Sequence, residues 1–125
     1  MAPLDRSLEA IVVAELAVDD YALEKAHDLL PALRNAGLTS PATVVNGDLG
    51  ALLTGLMQTG YKRGRFTEII LSRLICLMQA VQKGKLDGLD ALLAAGDRDR
   101  VIALLGEVPG IGRQVAANAW TLLKG

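Results

Sequence analysis

The residues best suited to chemistry lie in the stretch 108–112, which reads Val-Pro-Gly-Ile-Gly. Apolar residues recur at spacings of three and four on both sides, which predicts two helices joined by a tight turn. Pro109 ends the first helix, while Gly110 and Gly112 allow positive φ or a backbone without a side chain. The backbone N–H groups of Gly110, Gly112 and Val115 then have no partner at the start of the second helix. Such a helix start attracts anions, and phosphate is the natural one.

A second set of residues suited to phosphate lies in the loop 60–65, which contains Lys62, Arg63 and Arg65. Residues 49–125 carry ten basic and six acidic side chains, whereas residues 1–48 carry three and eight. The part with the glycine turn is therefore positive although the net charge is −1, and a local basic face can bind phosphate. A solvated loop without any ligand has the same composition, so both interpretations stay open.

Composition restricts the class of protein. The chain has 125 residues, of which half are hydrophobic and very few are aromatic, and this suits a packed helical core. No apolar segment approaches membrane-spanning length, and we expect no signal peptide, since Glu9 and Glu15 interrupt the first apolar segment. The single Cys76 excludes an internal disulfide and an all-cysteine iron–sulfur site. We therefore expect a cytoplasmic protein that does not contact membranes.

Helix signals follow one another along the chain, and no segment alternates polar and apolar residues as a strand would. The side chains expected to cap helices are Asp5, Asp19 or Asp20, Ser40, Asp48, Asp87 and Asp97. The predicted helices cover about residues 6–18, 21–30, 41–45, 49–58, 66–83, 88–95 and 98–108, and the last follows the glycine turn. Pro31 either kinks the second helix or starts a short further turn. We predict an all-α fold, a compact multi-helix barrel or bundle, with one domain over residues 1–125.

The order of these features resembles the helical-barrel domain of the endonuclease III-like DNA glycosylases. The 108–112 turn is similar to the family's helix-hairpin-helix motif, usually Leu-Pro-Gly-Ile/Val-Gly, with Val108 in place of the leucine. Before it come, in the family's order, the start of the second helix at 20–26, a short Ser40-Pro41 helix, a helix ending near 60, and a glycine–aromatic–basic loop at 60–65. The resemblance runs from about residue 8 to residue 123, with the hairpin at about 98–124. It implies a DNA-binding protein of DNA repair.

The resemblance also implies which residues contact DNA. The residues expected at the nucleic acid are Gly110, Gly112, Arg113, Gln114, Val115, Lys62, Arg63 and Arg65. The backbone carbonyls of Gly106, Val108 and Ile111 match those that hold a monovalent cation, Na⁺ or K⁺, in some family members. No other cofactor is expected. DNA is the expected partner, contacted mostly through its phosphates, and a partner protein or a second copy of the chain stays open.

Two catalytic positions of the family have no counterpart in this sequence. Bifunctional members carry a nucleophilic lysine two residues after the second hairpin glycine, where this chain has Gln114. Members also use an aspartate beyond the last hairpin helix, and no Asp or Glu follows Gln114. We therefore assign no catalytic residue and predict a non-catalytic protein that binds the DNA backbone. Two alternatives stay open: a minimal monofunctional base-excision glycosylase with an unexpected acid, and a protein-interaction domain whose turn only packs.

Overall fold

The computed structural model describes residues 3–18 and 21–124, and the side chains of residues 7–18 and 21–123. Within these ranges all regular secondary structure is helical, which confirms the predicted all-α class. The helices are α1 (Pro3–Leu16), α2 (Leu23–Asp28), α3 (Leu30–Asn35), α4 (Pro41–Asn46), α5 (Leu49–Gln58), α6 (Arg65–Gln82), α7 (Leu89–Ala95), α8 (Arg98–Gly106) and α9 (Arg113–Lys124).

Three predicted caps are confirmed. The side chains of Ser40, Asp48 and Asp97 each accept a hydrogen bond from a backbone N–H three residues further on, at 3.0 to 3.4 Å. These bonds satisfy donors that the first turn of a helix leaves unpaired, and they begin α4, α5 and α8. Gly96 ends α7 in the left-handed conformation, with φ +70°.

Two predicted caps are wrong. Helix α1 begins at Pro3, so Asp5 lies inside it instead of in front of it. Helix α7 is preceded by Gly88, which makes no side-chain cap, so Asp87 lies one residue too early in the chain. The candidate caps at residues 19 and 20 lie outside the described residues.

The predicted second helix is divided at Leu29 into α2 and α3. The reason is Pro31, which has no N–H to continue the helix but fits its first turn, where no internal bond is required. Of the two readings left open for this proline, the short separate helix is the observed one.

One hydrophobic cluster contains residues from α1 to α9. Helix α1 is at its centre and packs against α2, α6, α7 and α9, while α8 packs against α9. Buried side chains of α1, among them Ile11 and Leu16, belong to the same core as those of α6, among them Ile70 and Leu74. These helices bring the end of α1, the middle of α6 and the start of α9 together. Within the described ranges, no helix has the length and apolar character required to cross a bilayer.

Candidate nucleic-acid interface

The turn between α8 and α9 is anchored by two buried apolar side chains. Val108 and Ile111 point into the core, and the Ile111 N–H donates to the Val108 carbonyl at 3.1 Å. The Gly112 carbonyl accepts the first hydrogen bond of α9, from Ala116 at 3.0 Å. In contrast, the N–H groups of Gly110, Gly112 and Val115 make no hydrogen bond within the described part of the chain. The turn therefore presents unused backbone donors, which is the arrangement that suits an anion.

The two glycines of the turn serve different purposes. Gly110 has φ +91°, and a Cβ atom built on it would lie 2.9 Å from the Cγ of Arg73 on α6. Both the backbone conformation and this close approach therefore require glycine. At Gly112 a Cβ atom would meet nothing within 4 Å, and φ lies outside the left-handed region. Gly110 packs the turn against α6, whereas Gly112 leaves the backbone open.

A cleft of about 530 Å³ lies directly beside the turn. One wall is formed by the turn and the first residues of α9, and the opposite wall by Ala17, Val18 and Tyr21 after the end of α1. Arg73 supplies a positive charge from α6, and Asn118 supplies an amide from α9. None of the described residues that border the cleft is acidic. The cleft therefore combines a cation with backbone donors and suits an anionic group.

Sequence reasoning missed Arg73, although a signal for it exists. It follows Phe66 by seven residues and Ile70 by three, so it lies on the inward, mostly apolar face of α6. In the structure its stem packs against Gly110, and its guanidinium carbon lies 5.8 Å from the centre of the Phe66 ring. A charged residue at an inward position of a long helix is the feature that indicates such a site.

Arg63 links the residues after α1 to the start of α6 at the edge of the cleft. Its guanidinium donates to the Val18 carbonyl at 2.6 Å and lies 4.6 Å from the centre of the Phe66 ring and 5.4 Å from that of Tyr21. A cation over aromatic faces with a carbonyl acceptor is well satisfied. Its charge is therefore committed to the end of α1, in contrast to the free loop cation expected from the sequence.

The other two loop cations are exposed but do not border the cleft. Lys62 borders a separate small depression with Met57 and Gln58. Arg65 is the first residue of α6, eight residues before Arg73, which corresponds to roughly 12 Å along the helix. The structure thus does not gather the 60–65 loop and the turn into one contact point.

Gln114 and Asn118 form a short chain of hydrogen bonds between α9 and α1. The Gln114 side-chain amide donates to the Asn118 side-chain oxygen at 3.1 Å, and the Asn118 amide donates to the Ala17 carbonyl at 3.4 Å. Both side chains border the cleft. Gln114 is thus placed near the expected phosphate, and one of its donors already supports the wall of the cleft.

Arg113 and the expected cation site lie elsewhere. Arg113 is exposed and borders a second cleft, of about 600 Å³, between α8 and α9. Gly106, Ile111 and Arg98 border that cleft too, whereas Val108 does not. Arg98 and Arg113 oppose a bound cation in that cleft, whereas Asp99, which also borders it, attracts one. The Val108 carbonyl is bonded to Ile111 and does not border the cleft, so the three expected carbonyls do not line one common site.

A buried acid lies near the end of α1. Glu15 of α1 is fully buried, and neither of its carboxylate oxygens has a hydrogen-bond partner among the described residues. Burial raises the pKa of Glu15 to about 8, although the positive charge of Arg73 lowers it. Glu15 does not border the cleft, so a molecule bound there has no direct access to this carboxyl group.

Comparison of the chain with protein-family models, with curated proteins and with solved structures finds no match. Its function therefore has to be inferred from the chemistry of the cleft.

Proposed function

We propose that the chain is a non-catalytic DNA-binding protein, in which α8 and α9 act as a helix-hairpin-helix that binds the phosphate backbone. The observation that carries this proposal is the turn between α8 and α9. The unused N–H groups of Gly110, Gly112 and Val115 border the same cleft as Arg73. A DNA phosphate accepts hydrogen bonds from backbone N–H groups and from arginine, and both converge on this cleft.

The proposed contacts are to phosphates, so they position the protein without reading a base sequence. A single cation borders the cleft among the described residues, and the exposed Lys62 and Arg65 lie outside it. Few phosphates are therefore neutralised. We expect weak binding that is largely independent of sequence and that falls as salt is added.

The described residues that border the cleft favour DNA binding over cleavage of a glycosidic bond. Departure of a base leaves positive charge on the sugar, which an enzyme stabilises with a placed carboxylate or captures with a nucleophile. Among the described residues, Glu15 and Glu24 lie close in sequence to residues that border the cleft, but neither borders it. Glu15 is buried, and Glu24 is exposed in α2. Gln114 has neither a charge nor a nucleophilic amine.

The experiment that tests the proposal is Gly112→Ala, with binding of a labelled DNA duplex followed by fluorescence anisotropy. A methyl group at this position meets no protein atom and no unfavourable φ, so the variant keeps its fold and covers only the amide. Loss of a hydrogen bond to a charged group weakens binding about tenfold or more. Gly110→Ala does not serve as this test, because its positive φ and its contact with Arg73 would strain the turn.

The matched control is Gly88→Ala, which adds the same methyl group in open space before α7. This variant should bind DNA as the parent does. Circular dichroism should show unchanged helicity for both variants. If Gly112→Ala is folded and binds DNA as tightly as the control, the turn is not the phosphate site.

A further inference from the structure

The contacts of the Glu15 side chain do not explain why this acid is buried. Its carboxylate is fully buried and its two oxygens lack hydrogen-bond partners among the described residues. An unpaired buried charge is strongly unfavourable, so the group stays protonated at neutral pH. Glu15 belongs to the end of α1, and Ala17 and Val18, which follow this helix, border the cleft, although Glu15 itself does not.

Arg73 connects this buried acid to the cleft. It lies on α6, which packs against α1, and it borders the cleft with its stem against Gly110. The charge of Arg73 also acts on the Glu15 carboxyl and lowers its pKa, against the larger effect of burial. Arg73 thus borders the cleft, and its charge also acts on the buried carboxyl.

We infer that Glu15 controls the affinity of the cleft for phosphate, with the protonated form binding more tightly than the ionised form. This inference rests on the proposed function, since it concerns regulation of the same cleft. A neutral Glu15 leaves the Arg73 charge available to a bound anion. An ionised Glu15 competes for that charge and repels the anion. Conversely, a bound phosphate favours the protonated acid, so binding and proton uptake are linked.

The other ionisable groups around α1 do not account for such an effect. Asp90 of α7 accepts the Ser7 hydroxyl at 3.2 Å, two turns along α1 from Glu15, and Glu9 pairs with Arg34 of α3. Burial raises the pKa of the Tyr61 hydroxyl above its usual value of 10.0, so this group stays protonated between pH 7 and pH 9. Among the other described ionisable side chains of α2, α6 and α9, Cys76 of α6 is half-buried, and the remaining ones are exposed: Glu24, Lys25, His27, Asp28, Arg65, Glu68 and Arg113. Because Glu15→Gln keeps Cys76, a pH dependence that arises from this thiol would persist in that variant.

The test measures the dissociation constant of a rhodamine-labelled DNA duplex from pH 7 to pH 9 at constant ionic strength. For the unaltered chain we expect it to rise roughly three- to tenfold over this range. For Glu15→Gln, which keeps the shape of the protonated acid, we expect a dissociation constant independent of pH. The control is Glu107→Gln, which removes an exposed acid beside the turn and should change affinity by the same factor at every pH.

A second measurement needs no variant. Pyrophosphate binding to the unaltered chain, followed by calorimetry at pH 8 in two buffers of different ionisation enthalpy, should show uptake of part of a proton. If DNA does not bind but pyrophosphate binds with proton uptake, the DNA proposal fails and control by Glu15 stands. If DNA binds with no pH dependence, or with the same dependence in Glu15→Gln, control by Glu15 is wrong and the DNA proposal stands. If neither DNA nor pyrophosphate binds, the DNA proposal and control by Glu15 are both wrong.

Discussion

Replacement of Glu15 by glutamine should stabilise the protein at neutral pH. In the unfolded chain this carboxyl has a pKa near 4.5, and in the folded chain burial raises the pKa to about 8. At pH 7 folding therefore requires the acid to take up a proton from a solution in which it would otherwise be ionised. The glutamine amide has nearly the same shape as the protonated acid and needs no proton.

The magnitude follows from the two pKa values. Because the folded pKa is raised, the stability associated with protonated Glu15 is fully present below pH 4.5 and is lost as the pH rises to about 8. At pH 7 the loss spans about 2.5 pH units, and each unit corresponds to about 1.4 kcal/mol, so the penalty is on the order of 3 kcal/mol. Glu15→Gln should recover much of this, since both side chains leave polar atoms without partners.

Urea unfolding followed by circular dichroism provides the assay. At pH 7 the variant should unfold at a urea concentration roughly 1–2 M higher than the parent, given the usual dependence of stability on urea. At pH 4.5 the two should be nearly equal. Glu107→Gln, at an exposed position, should change stability by less than about 0.5 kcal/mol at both pH values. If Glu15→Gln does not stabilise the chain at pH 7, or if its effect is the same at both pH values, the explanation from burial is refuted.

Three further predictions concern the cleft. Arg73→Gln should weaken DNA binding and reduce the slope of log affinity against log salt by about 1, whereas Arg98→Gln on the other cleft should leave affinity and slope nearly unchanged; equal effects would contradict the role of Arg73. Arg63→Gln should lower the free energy of unfolding by about 1–3 kcal/mol, because it removes a charged donor from the Val18 carbonyl, and an unchanged urea midpoint would contradict this. The chain alone should release no base from duplexes with oxidised, deaminated, alkylated or mismatched bases, and borohydride should trap no covalent complex; release abolished by changing one residue of the chain would restore the enzyme alternative.

Local features of the fold could be predicted because they depend on neighbours in sequence. Ser40, Asp48 and Asp97 cap helices through bonds that span three residues, and Gly96 ends α7 because only its own φ matters. The predicted caps at Asp5 and Asp87 were wrong because the helices begin at other residues nearby. The exact residue at which a helix begins is the least certain part of its assignment.

The cleft shows most clearly which features could be predicted from the sequence and which depend on the tertiary structure. The Val-Pro-Gly-Ile-Gly pattern was sufficient to predict a tight turn with unused N–H groups, since proline and glycine act on their own backbone. The roles of Arg63 and Arg73 depend on partners distant in sequence: Arg63 bonds to Val18, and Arg73 lies against Gly110. Charge counts cannot separate an arginine committed to a carbonyl from one that faces a cleft.

The sequence by itself determined the helices, their order and the glycine turn, because helix periodicity, caps and turn residues act over three or four positions. Only the tertiary structure decided that α1, α6 and α9 meet around one cleft, that Arg73 supplies its charge and that Glu15 is fully buried. The physical reason is that burial and electrostatic interaction depend on distance in space, and α1 and α6 are separated by most of the first half of the chain.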